Sequence, residues 1–146
     1  MVLSTVRYSG IMAFTIEKYN LRKALATENY KKIGQIYCPY FHEYVHFNNE
    51  GIHHITYRDW HSPRPKPDQY VRLKLLYLAP AIVSLSQTLQ DYGTKIVNNK
   101  IVKYYIFTAL LNTMATKVVI RQVGNGSKHF FSIVPNWKKN KYYISR

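Results

Sequence analysis

The sequence predicts a single α+β domain in which N-terminal helices are followed by an antiparallel sheet of about four strands. Three observations carry this reading. Before Tyr92 the apolar residues recur at helical spacing, and from Tyr92 onward they alternate with polar ones at the period of a strand. Gly124-Asn125-Gly126-Ser127 separates two alternating runs, and Asn-Gly fits the positive backbone angles of a hairpin turn. A chain of 146 residues with 47% apolar side chains is long enough for one core and too short for a second domain.

Three parts follow in order: a helical N-terminal segment (1–40), a helical half (41–91) and the sheet (92–146). Thr15 to Ile33 reads as helix, with Leu21, Ala24, Leu25, Tyr30 and Ile33 apolar and Gly34 as its stop. Phe41 to Phe47 alternates as a short strand with Phe41, Val45 and Phe47 on one side, and Asn48-Asn49-Glu50-Gly51 supplies a turn and an N-cap. A short helix follows, in which His54, Arg58 and His61 would line one face while His53, about 100° around, serves a structural role. Pro63, Pro65 and Pro67 force an extended basic connector with Arg64 and Lys66. Asp68 is placed to cap a helix from Gln69 to Ala79, and Pro80 ends it and opens another reaching about Leu89. Val102 to Leu111, Thr116 to Val123 and Lys128 to Val134 read as strands.

The formal net charge of +14, from 21 Lys and Arg against 7 Asp and Glu, points to a polyanionic partner: nucleic acid or an acidic protein. No apolar run is long enough to span a membrane. With Cys38 as the only cysteine, neither a disulfide framework nor a thiolate zinc site can be built, and a reducing cytoplasm is the expected location. The 55 residues after Asp91 hold 10 Lys or Arg and no carboxylate. Two-metal phosphodiester chemistry needs clustered Asp or Glu, so no metal or cofactor is expected. Cleavage by His, Arg, Lys and hydroxyl groups asks for what the chain has.

Those groups converge on two stretches. Gly51 to Arg64 packs three histidines and two arginines into 14 residues, a stripe that is either a nuclease site or a solvated helix face. If Asn125-Gly126 is the turn, Val123 faces Lys128, Arg121 faces Phe130 and Val119 faces Ser132. Arg121, Phe130, Ser132, Lys117 and Lys128 then share one face, either gripping RNA or facing solvent, and Val118, Ile120, Phe131 and Ile133 share the core face. His53-His54-Ile55 also matches the opening of an HNH nuclease, but the later Asn and His of that pattern are missing. The remaining histidines fit no standard zinc spacing.

Taken in order, Phe47-Asn48, Gly51, His54-Ile55, Arg58, Arg72-Leu73, Leu78-Ala79-Pro80, Val118 to Gln122 and His129 to Pro135 resemble the small-nuclease superfamily of barnase, EndoU, colicin D and RelE, in its phage- and toxin-associated branches. The resemblance spans Tyr40 to Trp137 and is one of pattern and order. It implies helices followed by a four-stranded antiparallel sheet. It also implies cleavage of RNA, often tRNA or ribosome-bound mRNA, by a toxin neutralised by an acidic antitoxin or immunity protein. Within it His54 takes the helix-histidine role, Arg121 the strand cation and Ser132 the strand hydroxyl.

The expected activity is a metal-independent endoribonuclease. His54 would take the 2′-hydroxyl proton, Arg58 and Arg121 would stabilise the phosphorane, and His61 or Ser132 would assist the leaving oxygen. Arg64, Lys66, Lys117, Lys128, Phe130, Trp137 and Lys138 would contact the RNA. A non-catalytic nucleic-acid-binding module and a basic domain for an acidic partner are the alternatives, and neither predicts cyclic-phosphate ends on RNA.

Overall fold

A computed structural model describes residues 2–3, 14–59, 61–111 and 114–135. Its elements are β1 (Val2–Leu3), α1 (Ile16–Lys31), β2 (Gln35–Cys38), β3 (Glu43–His46), α2 (Asn49–Thr56), α3 (Lys66–Leu75), a 3₁₀ turn (Leu76–Leu78), α4 (Ala79–Leu85), β4 (Asp91–Val97), β5 (Lys100–Leu111), β6 (Met114–Val123) and β7 (Lys128–Pro135). The α+β class is as expected, but the sheet has seven strands, and two of them, β2 and β3, lie between helices. Its order is β1-β5-β6-β7-β3-β2, with β4 also on β5. It is mixed, because β1 joins β5 and β3 joins β7 in parallel. The β5-β6-β7 meander forms where the alternating runs of sequence place it. No helix among the described residues is long and apolar enough to cross a membrane.

Local chemistry explains most boundaries. Thr15 caps α1 by accepting from Lys18 N–H, and Gly34, at φ 70°, closes the exit in the left-handed region. Tyr19 and Tyr30 turn inward from α1 while Leu21 and Leu25 stay exposed, so the helix buries a narrower face than its apolar spacing predicts. Asn48 caps α2 by accepting from Glu50 N–H. The helix at 66–75 begins before Asp68, with proline in its first turn, so Asp68 does not cap it and instead pairs with Arg72.

Two hydrophobic clusters flank the sheet. The larger lies under the helices, where Phe107, Val118, Ile120, Phe130 and Ile133 meet Ile55, Leu73, Leu75, Ile82 and Val83. The smaller is on the opposite face and holds Val102, Tyr104, Ile106, Val119 and Val134, with Phe131 and Val123 against it. Between Val119 and Ile120 the β6–β7 register shifts by one: Val119 pairs Ser132 as expected, but Ile120 pairs Phe130 and Arg121 pairs His129. Phe131 is the extra residue of a β-bulge. The bulge sends Phe130 and Lys128 to the helix side and brings His129 and Phe131 to the face that carries Arg121. This corrects the expected assignment of Phe130 and Phe131.

Candidate functional site

Helix α2 lies directly on β7. Gly51 makes this possible: a Cβ there would fall 2.7 Å from both the carbonyl oxygen and Cδ2 of Phe130, and would also collide with the Tyr30 hydroxyl. Beneath it Phe47 and Phe130 stack with ring centroids 5.0 Å apart, and Tyr30 Oη donates to the Asn48 carbonyl at 2.7 Å, pinning the start of the helix. The sequence reading found Gly51 as turn chemistry. Its role is close approach within the helix, which brings Glu50 and His54 against the bulged part of β7.

Glu50 leans over β6 and β7. Its Oε2 lies 3.2 Å from Arg121 Nη1 and 3.0 Å from His129 Nε2, and its side chain is 59% exposed whereas that of His129 is 8% exposed. The Arg121 guanidinium also sits over the Phe131 ring, 5.1 Å from its centroid, and its buried Nε makes no hydrogen bond among the described residues. Burial pushes the His129 imidazole below its ordinary pKa, against the pull of the Glu50 carboxylate, and Arg121 adds to the lowering. A carboxylate, an imidazole and a guanidinium thus meet at one partly open point. Neither Glu50 nor His129 stood out in the sequence. The bulge that aims His129 leaves no periodic signal, and Glu50 reads as an ordinary helix-start carboxylate.

Behind this trio lies a buried polar layer. The His54 ring stacks on Phe131 with centroids 3.9 Å apart. Arg64 donates from Nε to the His54 carbonyl at 3.0 Å, and its Nη2 lies 3.1 Å from His54 Nε2. A guanidinium can only donate, so Nε2 is the acceptor there. Burial first, then the charges of Arg64, Arg72 and Arg121, push the His54 pKa down to about 2. Arg72 binds Asp68 Oδ1 through Nε at 3.1 Å, and from Nη1 donates to Ser132 Oγ and to the Ile133 carbonyl, both at 3.0 Å. It fits there because β3 meets β7 only at His46–His129, leaving the rest of that edge to side chains.

The structure therefore brings His54, Arg121 and Ser132 into one neighbourhood, as expected, but changes what each could do. His54 is buried, neutral and has its Nε2 engaged, which disqualifies it as the base. Ser132 is fully buried under Arg72. Arg58 and His61 leave the stripe, because α2 ends at Thr56 and the chain turns back. Asp59 Oδ1 accepts from the N–H groups of His61 and Ser62, and Tyr57 bridges Pro63, so a turn outcompetes further helix. Arg58 and His61 are exposed on that turn. His53 stacks on Tyr57 with ring centroids 4.6 Å apart.

Among the expected RNA contacts, Phe130 is fully buried and cannot stack on a base, and Arg64 is 4% exposed and faces inward. Lys128 is held by Glu43 at 2.8 Å on the helix side. Lys117 is half-buried, and Lys66 is exposed beside the Tyr19 ring. Trp137 and Lys138 lie outside the described residues. Among the described residues no three His, Cys, Asp or Glu side chains are grouped to hold a metal ion. Comparison of the chain with protein-family models, with curated proteins and with solved structures returns no match.

Proposed function

We propose that the chain is a metal-independent endoribonuclease whose proton-transfer groups are Glu50 and His129 and whose phosphate-binding cation is Arg121. The observation that supports this best is the meeting of those three side chains within 3.2 Å on a protein of net charge +14. In the reaction Glu50 removes the proton of the 2′-hydroxyl, and the freed oxygen attacks the adjacent phosphorus. Arg121 turns from Glu50 to the phosphate and carries the charge that builds on the phosphorane. The bound phosphate restores proton affinity to His129, which protonates the departing 5′-oxygen. The products are a 2′,3′-cyclic phosphate and a 5′-hydroxyl. His54, Arg64 and Arg72 do not touch the substrate in this scheme; they fix Phe131, the ring on which Arg121 rests.

Incubation of the purified chain with RNA in EDTA tests the proposal. Cyclic-phosphate ends are expected, and Glu50→Gln or His129→Ala each lowers the rate by about 10²–10⁴-fold, the usual contribution of a positioned acid or base. RNA left intact, or cleavage indifferent to both substitutions, sinks it. Binding that weakens steeply with salt and never cleaves would instead fit the nucleic-acid-binding module. The same proposal includes the toxin role and an acidic antitoxin or immunity protein, for which the charge is the support.

A further inference from the structure

The cross-strand register sets a row of side chains on the sheet face opposite the larger core, with Glu50 of α2 reaching over its far end: Gln35 pairs His46, His46 pairs His129, His129 pairs Arg121, and Arg121 pairs Tyr104. Tyr37 and Tyr44 pair with each other on that same face, two residues along β2 and β3 from Gln35 and His46. That places Tyr44 roughly 7 Å along the strand from His46, the immediate neighbour of His129. The two tyrosines are 44% and 53% exposed, and their rings meet edge to face at 5.6 Å, which leaves at least one ring face uncovered by the other. No carboxylate shares their side of these two strands, because Glu43 points to the other face and is held by Lys128. A phosphate backbone therefore meets no like charge from β2 or β3, and the carboxylate it meets along the row is Glu50, at the Arg121 end.

We propose that the Tyr37–Tyr44 pair is the stacking subsite for a base of single-stranded RNA whose backbone runs along the row to the phosphate held at Arg121. The proposal rests on the ribonuclease reading and adds the substrate class. A base lies on a tyrosine ring only when it has left its own stack, so a duplex is excluded from this position. An exposed aromatic pair beside a row of His and Arg side chains is also the combination that single-strand binding uses: rings for the bases and cations for the backbone.

The test is fluorescence anisotropy with a labelled ten-nucleotide single-stranded RNA, using the Glu50→Gln chain so that the probe survives. Replacing both tyrosines by alanine is expected to weaken binding about tenfold or more, whereas the Tyr37→Phe, Tyr44→Phe pair stays within about twofold. A blunt RNA duplex of the same length binds more weakly than the single strand. Thermal unfolding confirms that each variant is folded, and the Tyr44→Ala single variant repeats the test if the double variant is not. Binding unchanged by alanine, or a duplex bound as tightly as the single strand, overturns the subsite. If the native chain leaves RNA intact in EDTA while the tyrosine effect holds, the catalytic reading fails and the subsite stands. If the native chain cleaves and the tyrosines do not matter, the reverse is true.

Discussion

Gly51→Ala offers the sharpest test of how the site is assembled, because two physical effects push its stability in opposite directions. In an ordinary helix interior the substitution is favourable by about 1 kcal/mol. Here the added methyl falls 2.7 Å from a carbonyl oxygen of β7, inside normal contact distance, and that oxygen cannot retreat without bending the strand. Overpacking of this kind costs about 1–3 kcal/mol. Displacing Tyr30 Oη from the Asn48 carbonyl costs about 1 kcal/mol more. The net expectation is destabilisation by about 2 kcal/mol, a fall of about 1 M in the urea midpoint for a domain of this size. The Tyr30→Phe background removes the hydroxyl collision but not the one with Phe130, so it recovers only part of the loss. On the proposed ribonuclease reading, RNA cleavage falls further than stability alone explains, since Glu50 moves with the helix. A midpoint that rises on Gly51→Ala would show that α2 does not rest on β7 as described, and the placement of Glu50 would go with it.

Other expectations follow from the buried layer. Arg72→Ala takes the guanidinium from the buried Asp68 carboxylate and removes the donor to Ser132 and Ile133, for a loss of about 3–5 kcal/mol by chemical denaturation; an effect under 1 kcal/mol would contradict the burial. His54 binds its proton in the unfolded chain near pH 6.5 but in the folded protein only near pH 2. The unfolded state therefore takes up more protons in that window, and stability falls as pH drops from about 6.5 toward 2. The His54 share of the slope is about 1.4 kcal/mol per pH unit, measured as the difference between wild type and His54→Gln in urea titrations. NMR of the His54 ring should show it neutral throughout pH 5–8, and a midpoint in that range would restore it as a proton carrier. Cys38 is fully buried, with burial raising its pKa, so it should react with thiol reagents only after unfolding, at a rate that follows denaturant.

What could be read from sequence divides along a physical line. The β5-β6-β7 meander, the Thr15 and Asn48 caps and the Gly34 stop rest on interactions within a few residues, so periodicity and turn chemistry expose them. The stripe of His54, Arg58 and His61 failed because its period continues past Thr56 whereas the Asp59 turn halts the helix, a competition that helical spacing does not register. Phe130 and Phe131 were exchanged for a different reason. Hydrophobic alternation assumes an unbroken register, and one inserted residue inverts it without changing composition. Three of the seven strands were not expected: β1 has two residues, β2 has four and gains its place through β3, and β4 gains its place by pairing with β5.

The inverted register is also what makes a site. With regular pairing throughout, Arg121 would stand opposite Phe130, and His129 would point toward the helices. The bulge at Phe131 instead puts His129 beside Arg121 on one face, and supplies a ring that both His54 and Arg121 use. Gly51 then lets α2 approach closely enough for Glu50 to reach the two of them. Each device has a cost: a broken ladder, a glycine in a helix and cations crowded around a neutral histidine. Two of these devices also serve the core, since the bulge carries Phe130 into the larger cluster and Gly51 lets Ile55 of α2 join it. What the core does not require is that the same local departures also converge on one carboxylate, one imidazole and one guanidinium, and the proposed chemistry rests on that convergence.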